Sequence, residues 1–214
     1  MCNLLGDSVT VRIQRRVLLP ALLLTSSLAL QGCIEAVVGA GATAGVAAAQ
    51  ERGVKGAAND TAIRAEINHY WLQKDEKLFL NCNLQIHEGR VLVSGAVKDA
   101  DTRAEAIQLA WKASGVREVI NEIEVTGEGG FGTYARDTSI VTELRSRLLF
   151  AKDIQSVNYS IESVNGTVYL LGVAQDQAEL DRVLDVARNV RYVRRVVSHV
   201  LMKDDPRRFK TPTA

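Results

Sequence analysis

Three cysteines and three histidines are the residues of this 214-residue chain best suited to nucleophilic or metal chemistry. Their spacing argues against both. His69, His87 and His199 are scattered along the sequence, and none stands at ligand spacing from a cysteine or a second histidine. No metal site is predicted, and each histidine reads as solvated or at the edge of a core. Cys82 falls on the apolar side of an alternating stretch, with Leu80, Leu84 and Ile86 against Asn81, Asn83 and Gln85. That position predicts a buried structural thiol. No Ser-His-Asp set, paired-carboxylate motif or lysine nucleophile stands out, so the expectation is a non-enzymatic protein without a cofactor. The run Gly39–Gly45 (GAGATAG) looks like a nucleotide loop, but such a loop must follow a strand and open a helix. This one begins six residues after Cys33 and reads as a tether.

Cys33 is the cysteine in an informative setting. Arg12, Arg15 and Arg16 precede a run of 14 mostly apolar residues, Val17–Leu30, interrupted by Pro20. A spanning helix needs about 20 apolar residues; a basic segment followed by a shorter run is the pattern of a secretory leader. Leu30-Gln31-Gly32-Cys33 then resembles a bacterial lipobox, with Gln31 where a small residue is usual. The resemblance implies removal of residues 1–32, a diacylglycerol thioether on Cys33 and an acylated new amine. Several acyl chains anchor stably because each buried CH₂ contributes about 0.8 kcal/mol. The competing reading is an uncleaved signal anchor. Ile34 stands where, in familiar sorting rules, an Asp retains lipoproteins in the inner membrane, so the expected address is the periplasmic face of the outer membrane. With Cys2 in the leader and Cys33 lipidated, Cys82 is left alone and no intramolecular disulfide is available. The net charge of +1 supplies no field to recruit nucleic acid.

Behind the leader the chain repeats itself. DTAIRAEI from Asp60 aligns with DTSIVTEL from Asp137, 77 positions later. The offset then holds without a gap: Leu72 meets Leu149, Asn81 meets Asn158, EGRVLVSG (Glu88–Gly95) meets NGTVYLLG (Asn165–Gly172), and Asp99 meets Asp176. This is an internal duplication. In each copy an aspartate reads as an N-cap, Asp60 or Asp137. Ile63, Ile67 and Trp71, or Ile140, Leu144 and Leu148, follow on one helical face. Alternation then predicts a strand covered on one side, starting with Leu80 or Val157. Glu88-Gly89 and Asn165-Gly166 predict hairpin turns, and a second strand closes at a glycine. A helix starts near Asp99 or Asp176, the latter at capping-box spacing from Glu179. Val119–Val125 or Val196–Met202 forms the last strand. Each copy is αββαβ, of α+β class, with a three-stranded mixed sheet and two helices on one face. About 68 residues give a marginal core, which favours packing of the two copies together. The predicted organisation is a leader over 1–32, a tether over 33–58, repeats over 59–127 and 137–203, a linker over 128–136, and a disordered basic tail over 204–214.

The order helix, alternating strand, Glu/Asn-Gly-x-Val-x-Val/Leu-x-Gly, helix and Val-Arg-x-Val resembles the BON domain. Two such units behind a lipobox resemble the dual-BON outer-membrane lipoproteins. The resemblance implies phospholipid binding and a role in envelope integrity, with the first helix of the second unit meeting the membrane. In that helix Ser139 stands where an aromatic side chain would strengthen the contact. Charge points the same way: residues 60–127 carry 8 basic and 11 acidic side chains, whereas 137–214 carry 12 and 10. Arg188, Arg191, Arg194 and Arg195 cluster near the last strand. The copies also act as controls for each other. Leu72 and Leu149 are shared and read as packing, while Val141 and Phe150 replace Arg64 and Gln73 and make the second copy's first helix more apolar. Val141, Arg145, Arg147 and Phe150 are therefore the candidate contacts for anionic phospholipid. The alternative is a lipid-tethered protein-interaction module with an envelope assembly or stress-unfolded client as partner.

Overall fold

In the computed structural model, residues 45–126 and 134–209 are described. The leader, residues 33–44 of the tether with Cys33, residues 127–133 of the linker region and residues 210–214 lie outside them. The first repeat runs α1 (Gly53–Lys74), α2 (Glu76–Asn81), β1 (Cys82–His87), β2 (Arg90–Val97), α3 (Ala100–Trp111) and β3 (Glu118–Val125). The second runs α4 (Tyr134–Phe150), β4 (Tyr159–Val164), β5 (Thr167–Ala174), α5 (Gln177–Arg188) and β6 (Arg195–Met202). Each sheet has its middle strand antiparallel to the first and parallel to the third, β1-β2-β3 and β4-β5-β6. This is the α+β pair of αββαβ units read from the sequence, with the short helix α2 added in the first.

Local rules explain most of it. The periodic residues Ile63, Ile67, Trp71, Ile140, Leu144 and Leu148 are all buried. They meet alternate residues of the strands: Leu84, Ile86, Val91 and Val93 in one core, and Ile161, Val168 and Leu170 in the other. The hairpins turn through two residues at positive φ, Glu88 (55°) with Gly89 (73°) and Asn165 (50°) with Gly166 (77°), as a two-residue turn matched to strand twist requires. Asp99 and Asp176 cap α3 and α5 by accepting from Thr102 N and Glu179 N. The buried Glu179 carboxylate does not close the capping box; it accepts from Gln155 N and Gln175 N.

The second face of each sheet is covered by the other sheet. Leu92, Val164, Tyr169 and Leu171 form a third core, with Ile120 and Val197 against it. Leu92 and Tyr169 are counterparts at the 77-residue offset, as are Ile120 and Val197. Two polar contacts fix the relation. Gln85 Nε2 donates to Glu162 Oε2 at 2.9 Å, and His199 Nε2 lies 2.9 Å from Glu122 Oε1. In both pairs a residue touches its own counterpart, which happens only beside a two-fold axis. The duplicated chain has folded as an internal dimer.

Five expectations are corrected. Asp60 and Asp137 are not N-caps: α1 and α4 begin ahead of them, and both lie on the buried helical stripe. Each carboxylate reaches its own hairpin instead, Asp60 accepting from Glu88 N and Gly89 N, and Asp137 from Asn165 N and Gly166 N. A turn at positive φ directs consecutive N–H groups inward, and buried donors need an acceptor. Leu80 and Val157 precede the strands, in α2 and in a short 3-10 turn at Ser156–Asn158, and Leu80 is exposed. His87 is buried, at 3% exposure, and not solvated or at a core edge. The tail is ordered through Phe209: Pro206–Arg208 forms a 3-10 turn, and Arg208 grips Glu88 through two bonds, Nη2 to Oε1 at 2.6 Å and Nε to Oε2 at 3.0 Å. Residues 53–58, placed in the tether, are the first turns of α1.

Candidate functional site

The candidate contacts all lie on α4, but not on one side of it. At about 100° per residue, Val141 and Phe150, nine residues apart, point about half a turn away from each other. Val141 is half-buried against the second core. Arg145 is exposed and sends Nη2 to Ile161 O at 3.4 Å. Arg147 lies on the other flank, paired with Glu143 at 2.6 Å and donating to Asn189 O at 3.1 Å. Phe150 projects from the last turn, 82% exposed. Cys33 lies outside the described residues.

The exposed apolar group is a tip rather than a stripe. Leu149 beside Phe150 is 64% exposed, and its counterpart Leu72 is 49% exposed, so neither is the packing residue expected. Leu149 follows the buried Leu148 by one position and therefore falls off the inner stripe, a signal available in the sequence. Ser139, Thr142 and Ser146 keep the rest of the outer face polar. Cations surround the tip: Lys152 is exposed just beyond it, and Arg147 reaches the segment where Arg188 and Arg191 are exposed. Tyr192 lies in that segment, with the Arg191 and Arg136 guanidinium carbons 4.5 and 5.2 Å from its ring centre.

The opposite flank of α4 opens a groove of about 400 Å³ between the repeats. Leu80, Asn81, Val141, Arg145, Asp137 and Glu162 are among its lining residues. Burial raises the pKa of the Glu162 carboxyl despite the hydrogen bond from Gln85.

Nothing in this geometry assembles a catalytic set. Cys82 is buried in the first core, and burial pushes its thiol up to about 12, opposite to what a nucleophile requires. Among the described residues no group of three or more His, Cys, Asp or Glu is placed to hold a metal ion, and no helix is long and apolar enough to cross a membrane.

The family described as BON domain matches twice, over residues 59–127 and 136–204. The chain is similar to an uncharacterized protein in the gshII 5' region of Anaplasma centrale, with 39% identity over 68% of this chain and 95% of the relative. It is similar to the outer membrane lipoprotein DolP of Haemophilus influenzae, with 31% identity over 83% of this chain and 92% of the relative. Osmotically-inducible protein Y of Escherichia coli is 27% identical over 68% of this chain and 73% of its own length.

Proposed function

Because the chain belongs to the BON-domain family and carries two of its domains, we propose that it is a non-enzymatic lipoprotein of the outer membrane. Cys33 anchors it at the periplasmic face, and its second domain touches anionic phospholipid in support of envelope integrity. The similarity to a relative named as an outer membrane lipoprotein supports the address, as do the lipobox-like residues and Ile34. The observation that carries the lipid contact is the Leu149–Phe150 tip among Arg147, Lys152, Arg188 and Arg191. Burying a phenylalanine fully is worth about 1.5–3 kcal/mol, and each cation near an anionic surface adds about 1 kcal/mol. That total is weak for a free protein. It is sufficient to orient one whose anchor already holds it at the surface.

The four residues named from sequence divide accordingly. Phe150 and Arg147 belong to the tip, now joined by Leu149. Arg145 stands between tip and groove, and Val141 faces the groove. The docking is a helix-end insertion, not a helix lying flat.

The test uses the mature chain, residues 33–214, with Cys33→Ser, because a single repeat would expose Leu92 or Tyr169. Cosedimentation with anionic vesicles is expected to exceed that with neutral vesicles and to fall as salt rises. Phe150→Ala, and Arg145→Glu with Arg147→Glu, each weaken it with unchanged circular dichroism. Equal binding to both vesicle types, or indifference to Phe150→Ala, refutes the reading.

A further inference from the structure

The turns that lead into β3 and β6 are built alike. Arg117 N donates to Gly89 O and Arg194 N to Gly166 O, each at 2.8 Å. The residue two positions earlier has positive φ in both: Gly115 at 87° in the first repeat, Tyr192 at 71° in the second. Positive φ suits glycine, and for a bulky side chain it is an outlier that carries strain. The first repeat shows that glycine satisfies this turn, so the second holds its tyrosine against a backbone cost. Strain of this kind persists where the side chain has a use besides packing.

The Tyr192 ring lies outside the cores and is 45% exposed. The guanidinium carbons of Arg191 and Arg136 stand 4.5 and 5.2 Å from its centre, and both arginines are exposed. They are as particular to the second repeat as the tyrosine. At the 77-residue offset Arg136 and Arg191 replace Asn59 and Ser114, and Arg147 and Arg188 beside them replace Tyr70 and Trp111. Arg147 and Arg188 pair with Glu143 and Asp185 at 2.6 and 3.1 Å. Arg136 and Arg191 are held on the ring instead. Stacking engages the flat face of a guanidinium and leaves the N–H fork at its edge for an acceptor. It also holds two like charges near each other, which favours an anion that carries several oxygens and more than one charge.

We propose that Arg136, Arg191 and Tyr192 form a phosphate-binding site, in which the ring sets both arginine forks toward one phosphate group. Arg136 precedes Phe150 by 14 residues, roughly 20 Å along α4, so the site is distinct from the Leu149–Phe150 tip and does not depend on it. The phosphate belongs to a lipid headgroup or is free in solution, and the two sources separate by experiment.

Inorganic phosphate is titrated into the mature Cys33→Ser chain at constant ionic strength and followed by amide NMR, with chloride as the reference. In parallel, cosedimentation is measured with vesicles of phosphatidylcholine and phosphatidic acid. Tyr192→Gly installs the residue that the first repeat carries at this turn, so it folds, and it leaves the net charge unchanged. Saturable phosphate shifts at Arg136, Arg191 and Tyr192, with affinity at least threefold lower in Tyr192→Gly and vesicle binding as in the parent, make free phosphate the ligand. Vesicle binding at least threefold weaker in Tyr192→Gly makes the headgroup the source. Arg136→Asn with Arg191→Ser, again the residues of the first repeat, removes whichever response is seen. If neither phosphate affinity nor vesicle binding responds to Tyr192→Gly, the proposal is overturned. The membrane reading then stands or falls separately, on whether Phe150→Ala weakens vesicle binding.

Discussion

His87 makes stability in acid a direct test of the buried interface. It ends β1 on the side facing the other sheet, is 3% exposed, and its Nε2 has no hydrogen-bond partner among the described residues. Burial, helped by the Arg52 charge and to a lesser degree Arg208, holds its pKa down to about 4, against the opposing pull of Glu88 and Asp60. A base whose folded pKa lies below its unfolded value of about 6.5 must be neutral in the fold. As pH falls through that window the unfolded chain gains a proton that the folded one refuses, so stability falls with it. The loss begins near pH 6.5, amounts to about 2 kcal/mol at pH 5, and levels off near 3 kcal/mol below pH 4. Two carboxylates also titrate nearby. Burial pushes Glu88 upward, but the Arg208 hydrogen bonds outweigh it and hold the group low, so its contribution is lost only in stronger acid. Burial raises Glu162, so its protonation favours the fold as pH falls. Comparing the parent with His87→Leu removes both from the difference. The assay is urea unfolding followed by Trp71 and Trp111 fluorescence at pH 7.5 and 5.0. The parent is expected to lose about 2 kcal/mol more than the variant between the two pH values. Parallel losses would mean that His87 is hydrated in the native state, and the dry sheet-to-sheet interface would be wrong.

Other expectations follow from single contacts. Arg208→Ala leaves Glu88 half-buried without its partner and is expected to cost about 2 kcal/mol in denaturant titration; no change would return the tail to the disordered state. Cys82, with its thiol near 12, should carry about a thousandfold less thiolate than an ordinary cysteine at pH 8; labelling is therefore slow in the folded protein and fast in denaturant, and fast native labelling refutes its burial. Glu162→Gln keeps an acceptor for Gln85 and removes a carboxylate whose raised pKa penalises the fold above its window, so the variant should gain stability at pH 8 relative to pH 5 when set against the parent. Gly95→Ala or Gly172→Ala places a methyl against the carbonyl oxygen of Asn81 or Asn158, at φ 134° or 146°; each is expected to lower the melting point strongly, with a cost above about 2 kcal/mol.

What the sequence conveyed was local. Helical spacing at Ile63, Ile67 and Trp71, alternation in β1 and β4, and the Glu-Gly and Asn-Gly turns each depend on neighbours a few residues apart, and each is present, the two strands starting two residues later than their alternation. What it concealed was long-range. Asp60 before Thr-x-Ile has the signature of a cap, because the same carboxylate chemistry satisfies N–H groups at a helix start or in a distant turn. Arg208 looked like part of a polar, proline-containing tail, since nothing near it reveals a carboxylate 120 positions away. His87 alternates as a polar strand residue should; only the second sheet makes its outward face an interior. The division of the candidate membrane contacts has a different cause. The half-turn between Val141 and Phe150 was available from the residue count alone, and the greater hydrophobicity of α4 concealed that its apolar gains were divided between two flanks.

The duplication gives this division a physical sense. An internal two-fold makes two of every surface, and contacts on the axis, such as Gln85 with Glu162, are satisfied once for both. Away from the axis each surface is free to diverge without unfolding its twin. Two of the differences on the first helices bear on the surface. Arg64 donates to the Leu84 carbonyl in the first repeat where the second carries the half-buried Val141, and Gln73 faces water where Phe150 presents an aromatic ring. The first repeat has a polar helix end beside the exposed Leu72. The second presents the exposed Leu149 and Phe150 at the end of α4, with Arg147 and Lys152 beside them. Selection on binding can act on those positions because their counterparts already supply the packing that stability requires. The same reasoning makes the first repeat the reference state for the second. Replacing Phe150 by the glutamine that its counterpart position carries should weaken vesicle binding and leave the fold in place.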